Sequence, residues 1–384
     1  MHAERADAAR DYFPGLTGLR GVAAGWVVLY HVWLLADAPA VRLGVVDATP
    51  LFAGGFIGVD LFFVLSGFLL GRPFLAWAQR RRAFPSLAGF WKRRCLRVLP
   101  AYYAQLAILL VAARVADGAW PVGLGGLLAY LSMEFTYVPG FGPLLNGVWW
   151  TLPIEWNFYV VLPLLGLAFA RWRAWVVFVA VLAAVLAFRA ACYASLADRA
   201  LGTILYPLII HLPGRLDEFV CGMLGAWFEL RRTRPSPRRD LAALLLGLAG
   251  VAGLLLAVSG RGDFFAQGEA PIIFVFASAA GASLGLVVYA AAVRVPLARA
   301  LFGGRALAFL GTISYSLYLW HGIVFVAAER SGVTRAPALA GLGRLALALI
   351  PIVLLVAWLS YRLTEHPFLV TAPATHRDAP PPAT

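Results

Sequence analysis

Four ionisable side chains stand where an apolar helix ordinarily carries none. Asp60 interrupts GGFIGVDLFFVLSGFLL, Glu155 interrupts NGVWWTLPIEWNFYVVLP, and His321 ends GTISYSLYLWH. His31 follows Arg20 in LTGLRGVAAGWVVLYHVWLL, where these two are the only readily ionised groups. Neutral imidazole, with an unperturbed pKa of about 6.5, suits removal of a hydroxyl proton near neutral pH. His31 is therefore a candidate general base. A buried carboxylate beside it would hold one ring tautomer and stabilise the imidazolium as it forms, and Asp60 and Glu155 are both candidates for that role. Ser66, in the same run as Asp60, is a weaker nucleophile candidate, because a serine in an apolar helix ordinarily hydrogen-bonds its own backbone.

Spacing groups these residues further. Arg20 and His31 are eleven positions apart, which at about 100° per residue returns them to one helix face, roughly 16 Å apart along the axis. Simple snorkelling to the interface is a second reading of Arg20. Ser314, Tyr318 and His321 fall at i, i+4 and i+7, a polar stripe on an otherwise apolar helix. In WKRRCLRVLP, Arg94 and Arg97 are three apart and share a face. Their guanidinium forks suit phosphate oxygens, and the alternative is that they only set topology. Glu365, in YRLTEHPF, is expected to pair with an arginine and fix a helix end.

The elements that position these groups are long apolar helices. Of 384 residues, 61% are hydrophobic and 13% charged, against roughly 25% charged in a soluble domain. Apolar runs of about twenty residues, the length that crosses a hydrocarbon core, recur along the chain. The expected fold is all-α and polytopic, with about ten transmembrane helices. They start near residues 16, 52, 98, 149, 174, 216, 241, 272, 306 and 339. The Gly/Pro-rich stretch 118–148 reads as an outward excursion with room for a re-entrant helix. A net charge of +13 would suit nucleic acid, but the arginines cluster in short loops between apolar runs. QRRRAFPSLAGFWKRRCLR and RRTRPSPRR are the strongest, and this is the positive-inside pattern of a plasma-membrane protein. Both loops, and both termini, are placed in the cytosol. His31, Asp60, Glu155 and His321 then share the outer half of the membrane.

Cys95, Cys192 and Cys221 are scattered, with no CxxC spacing, so neither a disulfide framework nor a metal site is expected. The N-terminus lacks a short hydrophobic core with a small-residue cleavage site, which makes the first run an uncleaved helix. The organisation expected is a cytosolic segment 1–12, a membrane domain 13–368 and a Pro/Ala-rich disordered tail 369–384.

Taken in order, these motifs resemble the acyltransferase family 3 proteins, integral-membrane O-acyltransferases of bacteria. The resemblance spans Phe13 to Phe368. It rests on Leu19-Arg20-Gly21 with ten residues to His31, GVDLFFVLSGFLL, Arg94-x-x-Arg97 before Pro100, WTLPIEWNFY and ISYSLYLWH. It implies a ten-helix domain that takes an acyl group, often acetyl, from cytosolic acyl-CoA as co-substrate, with no resident cofactor. The acceptor implied is a hydroxyl of a sugar, glycolipid, envelope glycan or macrolide-type secondary metabolite. Arg20 and His31 match the family's essential pair, and Arg94 and Arg97 its CoA-contacting pair. The chain departs at Pro153 and Trp156, where relatives often carry a polar and an acidic residue, leaving Glu155 as the candidate carboxylate. No fused SGNH hydrolase-like domain is expected.

The mechanism expected has Arg94, Arg97 and Arg20 on the CoA phosphates and His31 as base. Asp60 or Glu155 orients His31, and His321 with Tyr318 positions the acceptor or stabilises the oxyanion. A proton-coupled exporter using His31, Asp60 and Glu155 as a relay is the alternative from another class.

Overall fold

A computed structural model describes residues 13–138, 144–195, 211–258, 270–335 and 341–370. The expected segment 1–12, nearly all of the tail and most of the outer segment 196–213 lie outside the described residues. Those described are helical except for loops and one tiny hairpin, Arg42–Leu43 paired antiparallel with Val46–Asp47. The protein is an all-α, multi-pass membrane protein.

The principal helices are α1 (Pro14–Leu35), α2 (Ile57–Ala78), α3 (Leu87–Asp117), α4 (Leu124–Ser132), α5 (Thr151–Arg171) and α6 (Ala174–Ser195). They continue as α7 (Leu216–Arg231), α8 (Pro237–Val258), α9 (Ala270–Ala292), α10 (Pro296–Phe302), α11 (Arg305–Thr312), α12 (Ser314–Arg330) and α13 (Leu342–Ser360). Among the described residues, eight helical stretches are long and apolar enough to cross a hydrocarbon core, and α11 with α12 makes a ninth if the broken pair is one span. The sixth expected span is α7, whose sixteen residues give about 24 Å of helix, short of the ~30 Å core. It is buried along most of its length, which is how it carries Asp217 and Glu218 in its first turn without exposing them to lipid.

Backbone contact seats α7 against α2. A Cβ on Gly67 would sit 1.9 Å from the Phe219 carbonyl oxygen, and one on Gly222 would sit 1.9 Å from that of Val64. Side chains cannot fit at this crossing, so the close packing follows from small residues on both helices. Phe63 and Phe158 then stack on Phe219 with centroids 4.8 and 4.1 Å away.

Three departures from straight helix shape the interior. First, α3 ends at Gly118, whose φ of 69° is a left-handed stop. The described part of the following excursion folds as α4 and two 3₁₀ turns, Phe135–Tyr137 and Gly147–Trp150. Gln105 and Asn146 fasten it, each donating its side-chain N–H to the Leu319 carbonyl at 2.8 and 2.9 Å. The Trp149 indole donates to Gln105 Oε1 at 2.8 Å. Second, α11 and α12 meet at a 75° bend, beside Thr312, whose hydroxyl donates back to the Ala308 carbonyl at 2.9 Å. Third, α13 runs on into a π turn over Tyr361–Glu365, which leaves Glu365 fully buried.

Candidate active site

A cavity of about 230 Å³ opens between α1, α2, α3, α5 and α12. Its lining follows α2 from Val59 to Pro73, about 21 Å of helix. Six arginines reach it: Arg20, Arg72, Arg82, Arg93, Arg94 and Arg97. They come from the α1 face that faces α2, from the end of α2, and from the basic loop and first turns of α3. Two of them also serve the fold. Arg72 pairs with Glu229 at 2.9 Å, and Arg97 pairs with the buried Glu365 at 3.2 Å. Arg20 Nε donates to Ser314 Oγ at 3.3 Å, at the mouth of the α11–α12 bend.

Glu365 accounts for that bend electrostatically. Its Oε1 accepts from the Ser316 backbone N–H at 3.1 Å and from the Ser316 hydroxyl at 2.5 Å. A carboxylate thus satisfies one of the orphan N–H groups at the start of α12 and faces the positive end of its dipole. The expected pairing of Glu365 with an arginine is present, and the arginine is Arg97.

Glu155 is half-buried on the cavity wall, one turn from Tyr159. Tyr159 lies beside both Glu155 and Arg94. Ser66 donates its hydroxyl to Glu155 Oε1 at 2.9 Å rather than to its own backbone, which corrects the reading of Ser66 as a self-bonded helix serine. The far end of the cavity is closed by Thr151 and Tyr318. The Tyr318 hydroxyl donates to the Val148 carbonyl at 2.8 Å and accepts from Thr151 Oγ1 at 2.9 Å.

Beyond Tyr318 lie the histidines, neither of which lines the cavity. His321 is fully buried, with its ring 5.7 Å from that of Tyr318 and 4.9 Å from that of His31. His31 is half-buried. Each ring places Nδ1 against the carbonyl four residues back, Val27 at 2.8 Å and Leu317 at 3.2 Å. A carbonyl only accepts, so each neutral ring carries its proton on Nδ1 and its lone pair on Nε2. His321 Nε2 is buried without a hydrogen-bond partner among the described residues. The backbone, and not a carboxylate, therefore sets the tautomer of His31.

The carboxylates expected to orient His31 are engaged elsewhere. Asp60 accepts from Arg215 at 3.1 Å, and Arg215 also pairs with Glu218 at 2.8 Å. Beside them Arg189 pairs with Asp217 at 3.1 Å, and Ser278 donates to the same carboxylate. This network joins α2, α6, α7 and α9, and one-sided removal of any member would strand a buried charge. Its members Asp217 and Glu218 lie inside the expected sixth span, so the test of asking why an ionisable group stands in an apolar run reaches them too. Glu155 and Asp60 occupy separate environments, and neither hydrogen-bonds His31. No direct hydrogen bond joins His31, Asp60 and Glu155 to one another.

One carboxylate near α5 escaped the sequence reading. Glu134, in the excursion, accepts from Asn157 at 3.1 and 3.2 Å, and burial raises its pKa. It does not line the cavity. No group of three or more metal-ligating side chains occurs among the described residues.

Sequence comparison places these features in a family. The profile of a family described as "Acyltransferase domain", acyltransferase family 3, matches residues 13–362, and the chain belongs to it. It is similar to the peptidoglycan O-acetyltransferase OatA of Listeria monocytogenes, with 26% identity over 340 residues, covering 82% of this chain and 49% of the relative. It is likewise similar to a putative O-acetyltransferase of Staphylococcus aureus strain COL, with 25% identity over 386 residues, covering 93% and 57%. The chain thus spans about half the length of these curated relatives. No solved structure matches.

Proposed function

We propose that this protein is a membrane O-acetyltransferase that moves an acetyl group from acetyl-CoA to a hydroxyl of a sugar, glycolipid, envelope glycan or secondary metabolite. The supporting observation is the arginine-lined cavity, which ends one aromatic layer short of two histidines whose Nε2 atoms carry the lone pair. Family membership supports acyl transfer, and the names of the relatives support acetyl and a hydroxyl acceptor.

In this reading Arg93, Arg94 and Arg97 hold the phosphates of the donor through charge-assisted forks, and Arg20 lies along the same path. The acceptor hydroxyl comes to His31 from the other side, the half-exposed edge of α1. His31 Nε2 takes the hydroxyl proton as the oxygen attacks the thioester carbonyl. The carbon–sulfur bond then breaks, and the imidazolium returns its proton to the departing CoA thiolate. Tyr318 separates donor from base, so transfer requires its side chain to turn aside, and His321 Nε2 is placed to accept from a neighbouring hydroxyl of the acceptor and so position it. Glu155, held by Ser66, faces the donor side of the site instead of the base. The basic clusters support a cavity mouth and both termini on the cytosolic side.

The test is transfer of radiolabel from acetyl-CoA in membranes containing the protein, with His31→Ala beside it. Label entering a lipid, polymer or small-molecule fraction only with the wild type supports the reading and identifies the acceptor class. Wild-type transfer by His31→Ala would overturn the base assignment. Absence of transfer by folded wild-type protein, across a panel of acyl-CoAs and acceptors, would overturn the activity.

A further inference from the structure

A second cavity, of about 750 Å³, lies apart from the arginine-lined one, between α6, α7, α8 and α9. It occupies the beginning of α6 and α8 and the end of α7 and α9. Because successive spans alternate in direction, these four ends belong to one side of the membrane. α6 packs against α7 and α8 against α9, so the cavity is a furrow between α6 and α8 with α7 and α9 as its floor. Its inner walls are apolar: Phe178, Leu224, Phe228 and Leu286. Phe228 and Leu286 are exposed on the surface of the protein and so stand open to acyl chains.

The mouth is built from the loop RRTRPSPRR. Arg231, Arg232, Arg234 and Arg239 line it, with Asp240 as the one carboxylate. That carboxylate is already committed, because it accepts from Arg232 and from the Tyr289 hydroxyl. Arg231 lies over the Trp227 ring at 5.5 Å. Arg234 and Arg239 are exposed and make no ion pair among the described residues. A desolvated apolar furrow capped by unneutralised guanidinium groups at a membrane surface matches one kind of molecule, an amphiphile with a phosphate head and a hydrocarbon tail.

We propose that the furrow between α6 and α8 binds one anionic glycerophospholipid of the surrounding bilayer. Its phosphodiester lies on Arg234 and Arg239, and an acyl chain lies along Phe178, Phe228 and Leu286. The site is independent of the acyl-transfer reading, since it needs only the fold and its place in a membrane. Its ligand is selected by charge from the leaflet that the arginine clusters face.

Native mass spectrometry of the detergent-solubilised protein, titrated with phosphatidylglycerol, phosphatidylcholine, inorganic phosphate and glycerophosphoglycerol, tests this. The expected result is one phosphatidylglycerol retained at least tenfold more tightly than phosphatidylcholine, with neither soluble phosphate compound binding detectably. Arg234→Gln combined with Arg239→Gln should bring the two lipids to parity. Ala282→Phe, which fills the apolar wall and leaves every arginine in place, should weaken both lipids at least tenfold. Thermal melts in zwitterionic micelles check that both variants remain folded. Parity of the two lipids in the wild type would overturn the proposal. So would soluble phosphate binding as tightly as phosphatidylglycerol, which would make this a site for a free anion, or retention of the lipid by Ala282→Phe.

Discussion

Arg97 has two employers, the cavity and Glu365, and a double-substitution cycle separates them. Glu365 is fully buried and Arg97 is 12% exposed toward the cavity, so the two halves of the pair are unequal. Arg97→Gln leaves a carboxylate with no solvent, although Ser316 still donates two hydrogen bonds to it. That should cost about 3–5 kcal/mol, the range for stranding a buried charge. Glu365→Gln leaves a guanidinium that can turn into the cavity, and should cost only ~1.5–3 kcal/mol, the range for losing a charged hydrogen bond. The double variant should recover most of the stability, because two amides replace the ion pair. The Michaelis constant for acetyl-CoA should behave differently. Loss of a charge-assisted contact to a phosphate is worth ~1.5–3 kcal/mol, or about ten- to a hundredfold in affinity. The constant should therefore rise in Arg97→Gln and stay raised in the double variant, while Glu365→Gln stays near wild type. Denaturant unfolding in detergent reads the first quantity and acetyl-transfer kinetics the second. If the Michaelis constant recovers together with stability, Arg97 is a structural partner only, and the donor phosphates are held elsewhere.

Other outcomes follow from the same geometry. His31→Gln should lower acetyl transfer by about 10²–10⁴-fold, the usual share of a general base, while equilibrium binding of CoA changes little. In the wild type, transfer should fall about tenfold per pH unit on the acid side of the imidazole pKa, because protonated His31 has no lone pair to offer, and that limb should vanish from the residual activity of His31→Gln. Ser66→Ala, which strips Glu155 of its 2.9 Å donor, should reduce transfer without lowering the melting temperature appreciably. A reduction matched by unfolding would make the contact structural. Gly67→Ala places a Cβ 1.9 Å from the Phe219 carbonyl, so α2 and α7 must part by roughly 1.5 Å to restore normal contact. Severe loss of folded protein is expected, whereas Gly125→Ala, with no atom within 4 Å, should express normally on a fluorescence size-exclusion trace.

Helix existence was legible because apolar run length is a one-dimensional property: the starts read near 149, 174 and 241 lie within four residues of Gly147, Ala174 and Pro237. The bend at Ile313 was not, since its causes are the contacts of Thr312 and of Glu365, fifty-two positions further along the chain from that break. The site shows the same division. Arg20 with Arg94 and Arg97, and His31 with His321, were chosen because each is a costly group in or beside an apolar run, and the structure gathers them as two neighbouring sets. Which carboxylate meets which base depends on helix rotation, which run lengths do not encode. Depth alone put Asp60 and Glu155 level with His31. Rotation turned Asp60 toward Arg215 and Glu155 toward Ser66.

That rotation explains why Arg20 and His31 share a helix. α1 is the element that touches both sets: Arg20 lines the cavity near its start, and His31, about 16 Å further along nearly the same face, meets His321. The α11–α12 break performs the matching task on the facing wall. Ser314 and Tyr315 line the cavity, Tyr318 closes it, and His321 stands one turn beyond. α1 and α12 together hold a cationic chamber and a pair of imidazoles as neighbours, with Tyr318 lining the chamber and its ring 5.7 Å from that of His321. The Tyr318 hydroxyl is held by Val148, in the 3₁₀ turn Gly147–Trp150, and by Thr151, the first residue of α5, so that side chain is latched to the excursion that Gln105 and Asn146 pin to Leu319. Turning Tyr318 aside therefore breaks two hydrogen bonds, the one to the Val148 carbonyl and the one from Thr151.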